Sequence, residues 1–144
     1  MKRSLLLIGP FLFSVALQGE VQDIVKPEQP VTKTVEFSVF VDSKYSSALY
    51  KQSKARVELS IWKYTSSYTE LVWHTTIDEG KLKNYPSFDD AIFREVSIHG
   101  IIEGKETLVA GYKVIYDWKG SELSYDKGKW VTEGTKASKV KVGI

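Results

Sequence analysis

From Lys33 to the C-terminus, apolar and polar residues alternate with a period of two. Val35, Phe37, Val39 and Val41 alternate with Glu36, Ser38, Phe40 and Asp42, and Val57, Leu59 and Ile61 alternate with Arg56, Glu58, Ser60 and Trp62. Leu71, Trp73 and Thr75 alternate with Val72, His74 and Thr76. Further runs follow at Ile92 to His99, Thr107 to Trp118 and Lys139 to Ile144, the last with Val140, Val142 and Ile144 on one face. Successive side chains of a strand point to opposite faces, so each run predicts a strand with one buried and one wetter side.

The connections carry turn chemistry. Glu79-Gly80-Lys81, Glu103-Gly104-Lys105 and Lys127-Gly128-Lys129 each set a glycine between charged residues. Glycine reaches positive φ at little steric cost, so all three are expected to be hairpin turns or bulges. Ser43 to Lys54 is serine-rich and is expected to be a loop, although Ala48, Leu49 and Tyr50 have the makings of one helical turn. About seven or eight short strands with turns between them predict an all-β fold, a single antiparallel β-sandwich of immunoglobulin-like or transthyretin-like build. A small closed β-barrel is the alternative, because period and turn spacing do not separate the two.

The N-terminus breaks this pattern. Lys2 and Arg3 precede an apolar run from Leu5 to Leu17, and small residues offer cleavage points after Ala16 or Gly19. That is the build of a secretory signal peptide, so residues 1–19 are expected to be a leader. Residues 20–32, polar and carrying Pro27 and Pro30, are expected to form an extended tether, because proline stiffens φ and lacks the amide donor. Residues 33–144 are then the sandwich domain.

The leader changes how the charge is read. The formal charge of +2 comes from 20 basic and 18 acidic residues, and Lys2 and Arg3 make up the difference. A neutral mature chain argues against nucleic acid as a partner, since phosphate binding needs a surplus of Lys and Arg. No later apolar stretch reaches the roughly 20 residues that span a bilayer, so no transmembrane segment is expected after leader cleavage. The chain has no cysteine, hence no disulfide and no thiol for a lipid anchor. An exported, cysteine-free domain of this size is expected in a bacterial periplasm, on the cell surface or secreted.

Candidate chemistry is sparse. His74 and His99 are the only histidines, no G-x-S-x-G elbow is present, and no catalytic residue is assigned. Asp78, Glu79, Asp89 and Asp90 are weak candidates for calcium oxygens from two loops, without EF-hand spacing, and no metal or cofactor is assigned. The aromatics point further. Trp62 and Tyr64 fall on the polar face of their strand and lead into Thr65-Ser66-Ser67-Tyr68, and Tyr45 and Tyr50 flank Ser46 and Ser47. Tyrosine offers rigid contact area and serine offers adaptable hydrogen bonds, the composition of recognition surfaces. Trp73, Tyr112, Tyr116 and Trp118 fall on predicted core faces and are read as structural. Lys139 and Lys141 in the last strand are read as guards against unwanted pairing at a sheet edge.

The expected function is therefore a non-enzymatic, exported domain that binds a protein or glycan through Trp62, Tyr64, Tyr68, Tyr45 and Tyr50. A structural surface or fibre subunit assembling by strand pairing is the second expectation. A secreted hydrolase or metal-dependent enzyme is the third.

Overall fold

A computed structural model describes residues 28–42 and 52–144. Seven strands follow one another among these residues: β1 (Val31–Phe40), β2 (Lys54–Tyr64), β3 (Thr69–Lys81), β4 (Ile92–Ile101), β5 (Thr107–Trp118), β6 (Ser121–Val131) and β7 (Ala137–Gly143). Two single turns of 3-10 helix, Leu82–Asn84 and Phe88–Asp90, lie between β3 and β4. One sheet has the order β4-β1-β7 and the other β3-β2-β5-β6. The fold is thus a β-sandwich with open edges rather than a barrel.

Alternation creates the core. Val35, Phe37 and Val39 of β1 face Ala55, Val57, Leu59 and Ile61 of β2, all fully buried, and Val140, Val142 and Ile144 close one side. Phe37 and Trp73 stack across the two sheets with centroids 5.7 Å apart, a contact worth ~0.5–1.5 kcal/mol beyond burial. Tyr112 and Tyr116 pack half-buried against this core, as expected for structural aromatics. Trp118 does not. It is exposed at the far end of β5, beneath the ammonium of Lys119 5.0 Å from its ring.

Several local expectations need correction. Lys127-Gly128-Lys129 is not a turn: it lies within β6, where Gly128 pairs with Gly111 of β5. The β5–β6 hairpin turns instead at Lys119-Gly120, with φ of 52° and 82°, between the paired residues Trp118 and Ser121. Two left-handed residues match the right-handed twist of the flanking strands, and glycine takes the second position without strain. Glu79-Gly80-Lys81 ends β3 at a bulge, one of the two outcomes expected: Gly80 pairs with Ala55 and Ile77 with Val57, which leaves an extra residue between them, and the Tyr85 ring stands in front of Gly80. Only Glu103-Gly104-Lys105 is a turn as expected, with Gly104 at φ +83°.

Leu71 is also misplaced by simple alternation. Ile61 pairs with Trp73 while its neighbour Trp62 pairs with Leu71, so Val72 is an extra residue in β3. A bulge of this kind shifts the parity of the strand. Val72 and Trp73 both lean on the core, and Leu71 is turned outward. One pairing is parallel, that of β7 with β1, because the C-terminal strand enters the three-stranded sheet in the same direction as β1.

Candidate functional site

The outer face of the four-stranded sheet carries a row of large side chains. Register places Leu71 of β3 beside Trp62 of β2, Trp62 beside Val109 of β5, and Val109 beside Trp130 of β6. The row crosses all four strands at about 4.8 Å per step. Tyr64 joins it from two residues along β2, its ring 5.5 Å from Trp130 and tilted by 54°. Those two rings belong to strands separated by β5. They meet because β5 presents only short side chains outward there, Thr107 opposite Tyr64 and Val109 opposite Trp62.

The row is open to solvent, with Trp62 36%, Tyr64 37%, Leu71 45% and Trp130 61% exposed. Soluble proteins scatter single apolar residues over their surface, whereas a contiguous patch marks a contact site. The Trp62 indole N–H donates to Ser60 Oγ at 3.2 Å, which fixes that ring along its own strand. Gly111 and Gly128, next to Ser60 in the neighbouring row, leave the backbone bare beside the rings.

Of the expected aromatic residues, Trp62 and Tyr64 are thus brought together. Tyr68 sits apart at the tip of the β2–β3 hairpin, 6.0 Å from the Lys63 ammonium. That tip is a tight turn, not an adaptable loop. Thr65 N–H donates to Tyr68 O at 2.9 Å, and Thr65 Oγ1 accepts from the amides of Ser67 and Tyr68. Lys63 is held there by Glu70 at 3.1 Å and Glu106 at 3.6 Å, and the hydrogen bond it donates to Glu70 raises its pKa. Tyr45 and Tyr50 lie outside the described residues.

Trp130, Val109 and Leu71 had no place in the sequence reading of the site. The β6 strand was hidden by its charged and small residues, and only its pairing with β5 sets Trp130 beside Val109. The signal available was Trp130 itself, followed by Val131 in a polar stretch.

The remaining candidates do not converge. His74 lies on β3 and His99 on β4, in different sheets. His99 Nδ1 is 3.0 Å from Thr32 Oγ1. Ser60 is paired in register with His74, yet its Oγ is the acceptor of the Trp62 indole. Glu79 pairs with Lys54 at 2.7 Å, the Asp78 carbonyl accepts from Tyr85, and Asp90 is the acceptor of Ser87 Oγ at 3.5 Å. Among the described residues no group of three or more His, Asp or Glu side chains is placed to hold a metal. No helix among them is long and apolar enough to cross a membrane.

No protein-family model, curated protein or solved structure matches this chain.

Proposed function

We propose that this protein is an exported, non-enzymatic binding module whose partner docks on the row Leu71–Trp62–Val109–Trp130 and on Tyr64. The observation that carries this reading is the continuity of the row across four strands. Trp and Tyr dominate the energetics of contact surfaces because each ring removes a large area from water with few rotatable bonds. A partner of either class, protein or glycan, is compatible with aromatic rings. The aliphatic Leu71 and Val109, and the tilt between Tyr64 and Trp130, favour a protein contact over flat stacking on sugar rings.

The fibre-subunit reading has less support. The terminal strand β7 is at an edge, but its carbonyls at Lys139 and Gly143 already accept from Lys129 and from the Tyr125 hydroxyl, and β3 is irregular, with two register shifts along its pairing with β2. A bulged edge is a poor template for a neighbour's strand.

The test is capture by wild type and by the double variant Trp62→Ala/Trp130→Ala, against envelope proteins and a glycan array. Removing two contact-centre rings is expected to weaken capture by roughly a hundredfold, at about 2 kcal/mol or less each. Far-UV circular dichroism should stay unchanged, since both rings are solvent-exposed. Equal capture by the two proteins refutes the site.

A further inference from the structure

The strands β7 and β4 are the two edges of the three-stranded sheet, and on its outer side β4 is paired with no strand among the described residues. The direction of its backbone groups follows from β1. Thr34 N–H donates to Lys136 O at 2.8 Å and Phe40 O accepts from Ile144 N–H at 2.9 Å, and Lys136 and Ile144 flank β7. The even-numbered residues of β1 thus bond toward β7, and because hydrogen-bonding direction alternates along a strand, the odd-numbered ones bond toward β4. Their partners in register are Ile92, Arg94, Val96 and Ile98. The N–H and C=O groups of Phe93, Glu95 and Ser97, and the His99 N–H, are left on the open side.

This open stretch is bounded. Arg94 Nη1 donates to Phe93 O at 2.8 Å, which closes the edge at that end. At the other end Gly100, at φ +77°, stands in a bulge where the register slips between Ile98 and Ile101. Residues 95–99 remain, centred on Ser97.

We propose that β4 pairs antiparallel with β4 of a second copy of this chain, about a two-fold axis at Ser97. In that register Val96 lies opposite Ile98 of the second copy, and both are half-buried residues that extend the core face. Glu95 lies opposite His99 of the second copy on the outer face. Within its own sheet Glu95 stands beside Glu36, a like-charge pair, and Glu36 has Lys139 at 3.1 Å whereas Glu95 has no ion pair among the described residues. His99 Nδ1 is 3.0 Å from Thr32 Oγ1; with that hydroxyl as donor, Nε2 carries the proton and can donate to the facing carboxylate. Neighbouring registers are worse. An axis at Glu95 opposes two carboxylates, one at Val96 needs the occupied Phe93 carbonyl, and one at Ile98 runs into the bulge. The pairing is isologous and closed, so it joins two three-stranded sheets into one and gives a dimer, not a fibre. The aromatic row lies on the other sheet and takes no part.

The chain has no cysteine, so an introduced thiol reports only on its own surroundings. Residues that exchange hydrogen bonds across an antiparallel pair have Cα atoms about 5.5 Å apart, within disulfide reach. Ser97→Cys is expected to crosslink into a dimer on oxidation. Glu95→Cys is not, since its two copies stand about 14 Å apart. Sedimentation equilibrium of the unmodified chain over the micromolar to millimolar range should show a dimer, weak because the paired segment is short. His99→Glu should weaken it roughly tenfold, and Glu95→Lys/His99→Glu should restore it, because the opposite charges then face each other across the axis. Ser97→Pro removes an N–H that points away from β1 and should give a folded monomer; the charge variants serve if it fails to fold. Trp62→Ala/Trp130→Ala should dimerise as wild type does. Loss of the dimer in that variant would move the interface to the aromatic row and overturn the proposal. A monomer throughout, equal crosslinking at both positions, or a dimer indifferent to His99→Glu overturns it as well.

Discussion

Lys33 is the residue placed furthest from its ordinary preference. It stands on the inward side of β1, almost wholly buried, where a lysine is tolerated only with its charge matched. Its ammonium pairs with Glu103 in the β4–β5 turn and donates to the carbonyl of Thr135 at 2.8 Å. Glu103 also accepts from the Gly134 amide at 2.8 Å. One ion pair thus ties β1 to two connections at the end of the sandwich. The hydrogen bond from Lys33, followed by that from Gly134, lowers the Glu103 pKa below its ordinary 4.5. A carboxylate with a lowered folded pKa stabilises the fold above its unfolded value, and that contribution is lost as pH falls through the folded one. Wild type should therefore lose stability below about pH 4.5 in part through this group. Glu103→Gln should be less stable at neutral pH and should show a shallower acid loss in urea titrations at stepped pH. Parallel pH curves for the two proteins would mean that the tie is energetically idle. Nothing in the alternation at Lys33 revealed this role, because the carboxylate and the carbonyl come from residues 70 and 102 positions away.

At the scale of elements, β7 shows how local pattern and distant pairing combine. Val140 and Val142 alternate with Lys139 and Lys141, a strand legible from sequence, and the topology puts it at an edge, as its lysines suggested. Val140, Val142 and the adjoining Ile144 are buried, each burial contributing about 1.5–3 kcal/mol. Their sum is comparable with the ~5–15 kcal/mol of a whole domain. A chain ending at Thr135 is expected to lose its cooperative thermal transition; a calorimetric peak close to wild type would show that β7 is dispensable. The β6 strand was not legible in the same way. Its inward positions Lys127 and Lys129 border the open side of the sandwich and need not be apolar, so alternation is absent where the strand is real. In β3 the failure is of another kind. A single extra residue, Val72, reverses which residues face the core, and periodicity carries no mark of it.

For the whole molecule, the leader is the proposal that sequence supports best, and it is open to direct measurement. N-terminal sequencing of the protein from its native producer should begin at Leu17 or Glu20; a mature chain beginning at Met1 would remove the export proposal. With no cysteine, stability rests on packing, hydrogen bonds and ion pairs such as Lys33–Glu103 rather than on disulfides. Charge is uneven along the chain, with seven acidic and four basic residues from Ile77 to Glu106 and six basic against three acidic from Lys119 to Ile144. Folding divides that basic tail, because Lys127 and Lys129 stand on the inward side of β6 whereas Lys139 and Lys141 stand on the outer face of β7, beside Glu36 and Phe88.

Sequence by itself determined the all-β character, the core positions of β1, β2 and β7, and the outward placement of Trp62 and Tyr64, since alternation is a property of the single strand. Tertiary structure alone decided that Trp62 lies in a row with Leu71, Val109 and Trp130, and that Lys33 meets Glu103. Both depend on strand order and register, which are set by pairing between residues far apart in the chain. A period of two tells which face a side chain takes; it carries no information about the neighbour it will meet there.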